Sequence, residues 1–157
     1  MTVRQFATFC VNDALYGTDI LQIREVIERP DYSPVPQAPP IVEGLMNLRG
    51  QIITVIDLAR SLGVSAAGRE KPRTCVILKT DGELEGQRTQ DTALERIGPE
   101  NVGLLVDGMG EVVEIDDGEI DASPANTSPA DLEFIKGVAK LDKELLTILS
   151  LRRVLEF

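Results

Sequence analysis

Short apolar runs bounded by Gly, Pro, Asn or Asp recur along the whole chain. FATFCV, QIREVIE, LMNL and QIITVID come first; TCVILK, VGLLVD, GEVVEI, KGVAKL and ELLTILS follow. They are brief and rich in β-branched residues, a pattern that predicts strands, and long helical periodicity is missing throughout. Asn12-Asp13, Gly50, Asp81-Gly82, Asp107-Gly108 and Asp117-Gly118 read as turns, and Leu141-Asp142-Lys143-Glu144 as the connection between the last two strands. Two short helices are predicted. Asp57 precedes LARSLG and Ser150 precedes LRRVLEF, both good N-cap residues, and Gly63 stops the first helix. Leu58 with Leu62, and Leu151 with Leu155, are spaced to plug the end of a barrel. Residues 29–40, RPDYSPVPQAPP, hold five prolines and read as an extended, largely unpaired linker. Residues 81–100 are polar and read as a mobile excursion between strands.

The pattern occurs twice. Residues 41–62, IVEGLMNLRGQIITVIDLARSL, align without a gap onto residues 134–155, FIKGVAKLDKELLTILSLRRVL. Gly44 meets Gly137, Leu48 meets Leu141, Thr54 meets Thr147, and Arg60 meets Arg153. Earlier, Gly17 to Glu28 matches Gly103 to Glu114, ending in Glu25-Val26-Ile27-Glu28 and Glu111-Val112-Val113-Glu114. The offset is 86 residues from Gly17 to Gly103 and 93 from Gly44 to Gly137, with the order preserved. A single five-stranded sheet has open edges and little core; closing it into a barrel and pairing two barrels addresses both problems. The expected fold is therefore all-β, with two barrel-like lobes and short capping helices. Lobe one is expected at about 14–72 and lobe two at about 73–157, with the first strand, residues 5–11, packing on lobe two near the C-terminal helix.

With 157 residues the chain suits one domain or two very small ones sharing an interface. Aromatics make up 4% and Trp is absent, so Val, Ile and Leu must build the core. A net charge of −10 disfavours nucleic acid and anionic lipid and fits a protein partner, although salt adaptation produces the same acidity. No apolar run suits a membrane span and the N-terminus lacks a secretory signal, so a cytoplasmic location without membrane insertion is expected. Cys10 and Cys75 lie in apolar runs and read as small core residues.

Catalytic chemistry is hard to assemble from what remains. Without histidine the chain lacks the usual general base, the Ser–His and Cys–His pairings and the commonest zinc ligand. Gly108-Met109-Gly110 lacks the third glycine and helix of a dinucleotide site. Asp116 to Asp121 lacks EF-hand spacing and reads as a solvated turn. Glu25 and Glu28 are paired carboxylates of the kind a glycosidase uses, but no aromatic platform accompanies them. No catalytic residue, metal or cofactor is assigned. Asn47-Leu48-Arg49-Gly50 is different. Its counterpart is Lys140-Leu141-Asp142-Lys143, so Leu48 marks a structural position while Arg49 is not required by the fold.

The string NLRGQIITVIDL, with Gly44, Tyr16-Gly17-Thr18-Asp19-Ile20, Glu25-Val26, the Asp107-Gly108 hairpin and the final LLTILSL, resembles the CheW family of chemotaxis coupling proteins from about residue 5 to 156. Ser150 stands where that family often has Asp, and the 81–100 segment is longer than usual. The resemblance implies two five-stranded SH3-like barrels and a non-enzymatic adaptor. Its implied partners are the cytoplasmic tip of a chemoreceptor, a methyl-accepting chemotaxis protein, and the regulatory domain of the CheA histidine kinase. It implies a receptor groove lined by Ile23, Glu25, Gly44 and Arg49, with Asn47 and Leu48 beside them. Arg49 would orient the partner and Gly44 would permit close backbone approach; Glu25 would either hold Arg49 or pair with a receptor cation. A kinase-facing surface is implied at Val26 and Tyr32. The free chain is expected to be a monomer. A kinase fragment is the alternative, against which stand the start at Met1, the helical end at Phe157 and the lack of ATP-binding or phosphotransfer segments.

Overall fold

The computed structural model describes residues 3–64, 74–90, 94–121 and 134–155. The first copy of the repeat forms β1 (Val3–Val11), β2 (Ala14–Asp19), a 3-10 turn (Ile20–Gln22), β3 (Ile23–Glu28), β4 (Val42–Leu48), β5 (Gln51–Asp57) and α1 (Leu58–Ser61). The second forms β6 (Thr74–Leu78), α2 (Asp81–Gln90), β7 (Val102–Val106), β8 (Gly108–Asp116), β9 (Ile120–Asp121), β10 (Ile135–Lys140), β11 (Leu145–Leu149) and α3 (Leu151–Val154).

The strands form two sheets, one in the order β3-β6-β7-β5-β4 and one in the order β8-β1-β2-β11-β10-β9. Exchanging each strand for its repeat counterpart turns one order into the other, apart from the short β9. The parallel pairs β5–β7 and β11–β2 correspond in the same way. Each copy thus keeps its last three main strands and sends its first antiparallel pair into the other copy's sheet. The lobes expected at 14–72 and 73–157 do not follow the sheets: β2 lies in the six-stranded sheet, and β6 and β7 lie in the five-stranded one. The physical reason is burial on both faces. Cys75 and Ile77 of β6 enter a core with Met46, Ile53, Val55 and Leu105, inside the five-stranded sheet. Val76 and Leu78 point the other way, into a core shared by both sheets with Phe9, Val11, Ile56, Leu104, Leu149 and Leu151. A third core, of Phe6, Ile115, Ala139, Leu146 and Ile148, fills the six-stranded sheet.

The repeated glycines mark where chain crosses chain. A Cβ on Gly44 would collide with the Ser33 carbonyl, and one on Gly137 with Ile120. Ser33 pairs with Leu45 as an isolated bridge where β9 pairs with β10, so the proline linker makes one ladder contact in the midst of its irregular course. Cys75 is fully buried, which pushes its thiol up to about 12, and Gly103 leaves room for the sulfur. A thiol so placed stays protonated and inert at neutral pH. Cys10 is half-buried, and burial followed by the charges of Glu144 and Asp107 raises its pKa as well.

The two helix starts differ. Asp57 caps α1, accepting from the Ala59 N–H at 3.1 Å. Ser150, expected to do the same for α3, makes no side-chain cap bond. Its hydroxyl instead donates to Glu95 Oε2 at 2.7 Å, and Glu95 Oε1 accepts from the Leu151 N–H at 2.9 Å. The capping carboxylate is delivered from the 81–100 segment, which is no simple excursion. Asp81-Gly82 open α2 rather than form a turn, and Leu84 and Leu94 are buried. Thr80 and Glu83 form a reciprocal capping box, the signal that the turn reading overlooked. Glu95→Ala is expected to lower stability by about 1–2 kcal/mol through the lost cap, measured by urea denaturation; an unchanged midpoint would refute the cap.

Candidate partner-binding site

Leu48 pairs with Gln51, so Arg49 and Gly50 alone form the turn between β4 and β5. Both have positive φ, 51° and 85°, as two-residue hairpins of favourable twist require. Glycine adopts this backbone freely, whereas a residue with a Cβ does so at a cost of about 1 kcal/mol. The Asn47 side chain steadies the turn by accepting from the Gly50 N–H at 3.0 Å. Leu48 turns inward, packing with Ile27 and Tyr32 against the five-stranded core. Arg49 is lifted clear at the hairpin tip, its side chain 70% exposed, and its guanidinium donates to Glu25. Of the two roles open to Glu25, holding Arg49 is the one present.

Glu25 lies on β3, at the opposite edge of the sheet from β4. The Arg49–Glu25 pair therefore ties the two edges together. Beside it, a bulge between Ile23 and Glu25 leaves Arg24 without a ladder partner. The Arg24 guanidinium gathers Glu83 of α2, Asn101 and Gln51 of β5, at 2.5, 2.6 and 3.2 Å. Ile23 is half-buried and packs on the shared core. Ile52, 57% exposed, offers an apolar surface on the hairpin below Arg49.

The other expected residues divide. Gly44 is buried, five residues from Arg49 at roughly 3.4 Å each along the strand, and the space above it is filled by Ser33 and Tyr32 of the same chain. The close approach Gly44 permits within the chain is to its own linker. Asn47 and Leu48 shape the hairpin. Tyr32 lies over the core with its hydroxyl 3.4 Å from Glu43, and burial followed by the Glu43 charge raises its pKa. Val26, by contrast, is exposed on the β3 edge. Arg24, Gln51, Glu83 and Asn101 went unread. A signal existed: Arg24 has Gly110 as its repeat counterpart, the same kind of disagreement that singled out Arg49.

The charged groups here satisfy one another rather than converge on an empty point where a substrate would react. Among the described residues no group of three or more His, Cys, Asp or Glu is placed to hold a metal, and no helix is long and apolar enough to cross a membrane. A preorganised arginine on a rigid hairpin, with apolar side chains on the adjoining strands, is what recognition of another protein uses. The class is a β-sheet contact module.

Comparison with known proteins narrows that class. Residues 5–157 match the CheW-like domain family. The chemotaxis protein CheW of Thermotoga maritima is 31% identical over 149 residues, covering 95% of this chain and 85% of that protein. CheW of Treponema pallidum is 26% identical over 150 residues, covering 96% and 81%. The crystal structure of the scaffolding protein TtCheW from Thermoanaerobacter tengcongensis superposes with a TM-score of 0.79 at 29% identity, covering 99% of this chain and 94% of that one. The chain belongs to the CheW family of non-enzymatic chemotaxis scaffold proteins.

The packing at Gly44 yields a test of its role. Gly44→Ala is expected to cost about 1–3 kcal/mol because backbone, not a pliable side chain, occupies the Cβ position. Urea denaturation reads the loss; wild-type stability would return Gly44 to the list of surface contacts.

Proposed function

We propose that this chain joins the cytoplasmic tip of a chemoreceptor to the regulatory domain of the CheA histidine kinase. In this reading it is a monomer when free, works in the cytoplasm and is recruited to membrane-associated receptor arrays. The receptor surface comprises Glu25 and Arg49, with Ile23 for apolar contact, while Asn47, Leu48 and Gly44 hold the hairpin in shape. Val26, on the following position of β3, belongs to the kinase-facing surface, with Tyr32 supporting the linker behind it.

One observation carries the receptor assignment. Arg49 occupies a left-handed backbone position at which Asn or Gly would be less strained, and Glu25 braces it. Non-glycine residues held this way cluster at functional sites. The repeat supports the same view, since the equivalent position holds Asp142 in a longer connection. A receptor tip is a helical hairpin whose apolar stripe is flanked by charges. A braced guanidinium can bond a carboxylate or helix-terminal carbonyls there while Ile23 and Ile52 meet the stripe.

Arg49→Ala and Arg49→Asp are expected to leave stability within about 0.5 kcal/mol, because the side chain is exposed. They are expected to weaken binding of a receptor-tip helical hairpin by about 2 kcal/mol or more, roughly thirtyfold. Calorimetric titration measures the loss, and chemical-shift mapping with the same hairpin should place perturbations on residues 23–25 and 47–52. Wild-type affinity in both variants would remove Arg49 from the site.

A further inference from the structure

The internal duplication supplies a control for the segment between β6 and β7. By its place in the sheet, the β6–β7 pair corresponds to β1–β2, which is closed by Asn12-Asp13 alone, with φ of 50° and 66°. The fold therefore needs only a two-residue turn there, yet β6 and β7 are separated by residues 79–101. Two side chains of the first copy are committed to this insertion. The Gln22 side chain donates to the Glu95 carbonyl and accepts from the Glu95 N–H, both at 3.2 Å, and is itself buried. Arg24 binds Glu83 through both Nε and a terminal nitrogen, at 3.2 and 2.5 Å, and reaches Asn101 at 2.6 Å. In the sheet that has the plain turn, the counterparts of Gln22 and Arg24 are Gly108 and Gly110. Insertion and side chains thus occur together and are absent together. Gln22 and Arg24 flank Ile23, and Arg24 also bonds Gln51, the residue after the Arg49-Gly50 turn.

We propose that the 79–101 insertion is a positioning element for the receptor surface: by gripping Gln22 and Arg24 on either side of Ile23, it fixes the start of β3 against the β4–β5 hairpin and so sets the geometry of the Glu25–Arg49 pair. The inference rests on the reading of that pair as receptor-binding. Arg24 and Glu83 act through their neighbours and need not touch the partner. Burial pushes the Glu83 carboxyl up, but the Arg24 and Thr80 bonds outweigh it and hold Glu83 below its usual range, so the grip is intact at neutral pH.

The test compares Glu83→Gln, Asn101→Ala, the charge-exchanged pair Arg24→Glu with Glu83→Arg, and Arg49→Ala. Each is titrated with a receptor-tip helical hairpin and followed by the NMR signal of the Arg49 guanidinium in the free protein. Glu83→Gln is expected to weaken binding about two- to fivefold and shift the Arg49 signal, and the exchanged pair, which restores the ion pair but not the Thr80, Gln51 and Asn101 bonds, to recover part of that loss. Should the exchanged pair not fold, Glu83→Gln and Asn101→Ala read with the Arg49 signal decide the matter. Undiminished affinity in both while Arg49→Ala binds weakly would overturn the positioning role. An affinity loss with an unmoved Arg49 signal would do the same, leaving the insertion a stabilising element only. Undiminished affinity in Arg49→Ala itself would strike the receptor reading, and this inference with it.

Discussion

Every part of this molecule depends on the exchange of the first antiparallel strand pair between the two copies of the repeat. β1–β2 complete the sheet begun by β8, β10 and β11, and β6–β7 complete the one begun by β3, β4 and β5. Since β6 and β7 bury one face in the five-stranded core and the other in the shared core, neither lobe holds a finished interior without the other. Burying apolar area on both faces of a strand contributes roughly twice what a half-exposed strand can, at about 25 cal/mol per Å². The cost is topological: residues near the N-terminus must find partners near residues 108–149, and contacts so distant in sequence form slowly. The return is a shared interior in which the surface elements of both lobes are anchored.

That frame explains which residues the copies share and which they do not. Gly44 and Gly137 recur because in both sheets a preceding segment crosses directly over the strand at a bulge, through Ser33 in one and β9 in the other. Leu48 and Leu141 recur because both pack inward at the strand end. Asp57 and Ser150 differ because the second helix receives its carboxylate from Glu95. The backbone N–H groups at a helix start call for an acceptor, and the fold is indifferent to which part of the chain supplies it.

The contact surface is built by electrostatics at short range on a surface of opposite overall sign. The chain carries a net charge of −10, yet its hairpin tip presents a guanidinium tied to one carboxylate. An exposed ion pair of this sort contributes little to stability. Its value lies in limiting the rotamers of a long side chain before a partner arrives, which lowers the entropy lost on association. The Arg24 cluster does the same one residue away, linking α2, β3 and β5 at one point.

How much was legible without coordinates follows from the range of each interaction. The strands, the two-residue turns at Asn12-Asp13 and Arg49-Gly50, the paired short helices and the duplication all lie in local patterns, because alternation, φ preference and capping act within a few residues. Glu25 and Arg49 were singled out together by a resemblance, and for Arg49 also by disagreement between copies; their ion pair was one of two options that the residues left open. Other features escaped because they depend on segments far apart in the chain. Gly44 looked like a surface position until Ser33 was found above it, and Ser150 looked like a cap until Glu95 arrived from 55 residues away. The polar composition of 81–100 suggested a free loop, since its buried Leu84 and Leu94 are too few to give a helical period. The amino-acid sequence by itself determined the two sets of strands and the residue that disagrees between them. Only the tertiary structure decided which sheet each strand joins and what braces that residue, because pairing and burial are settled by where the whole chain can hide its apolar faces at once.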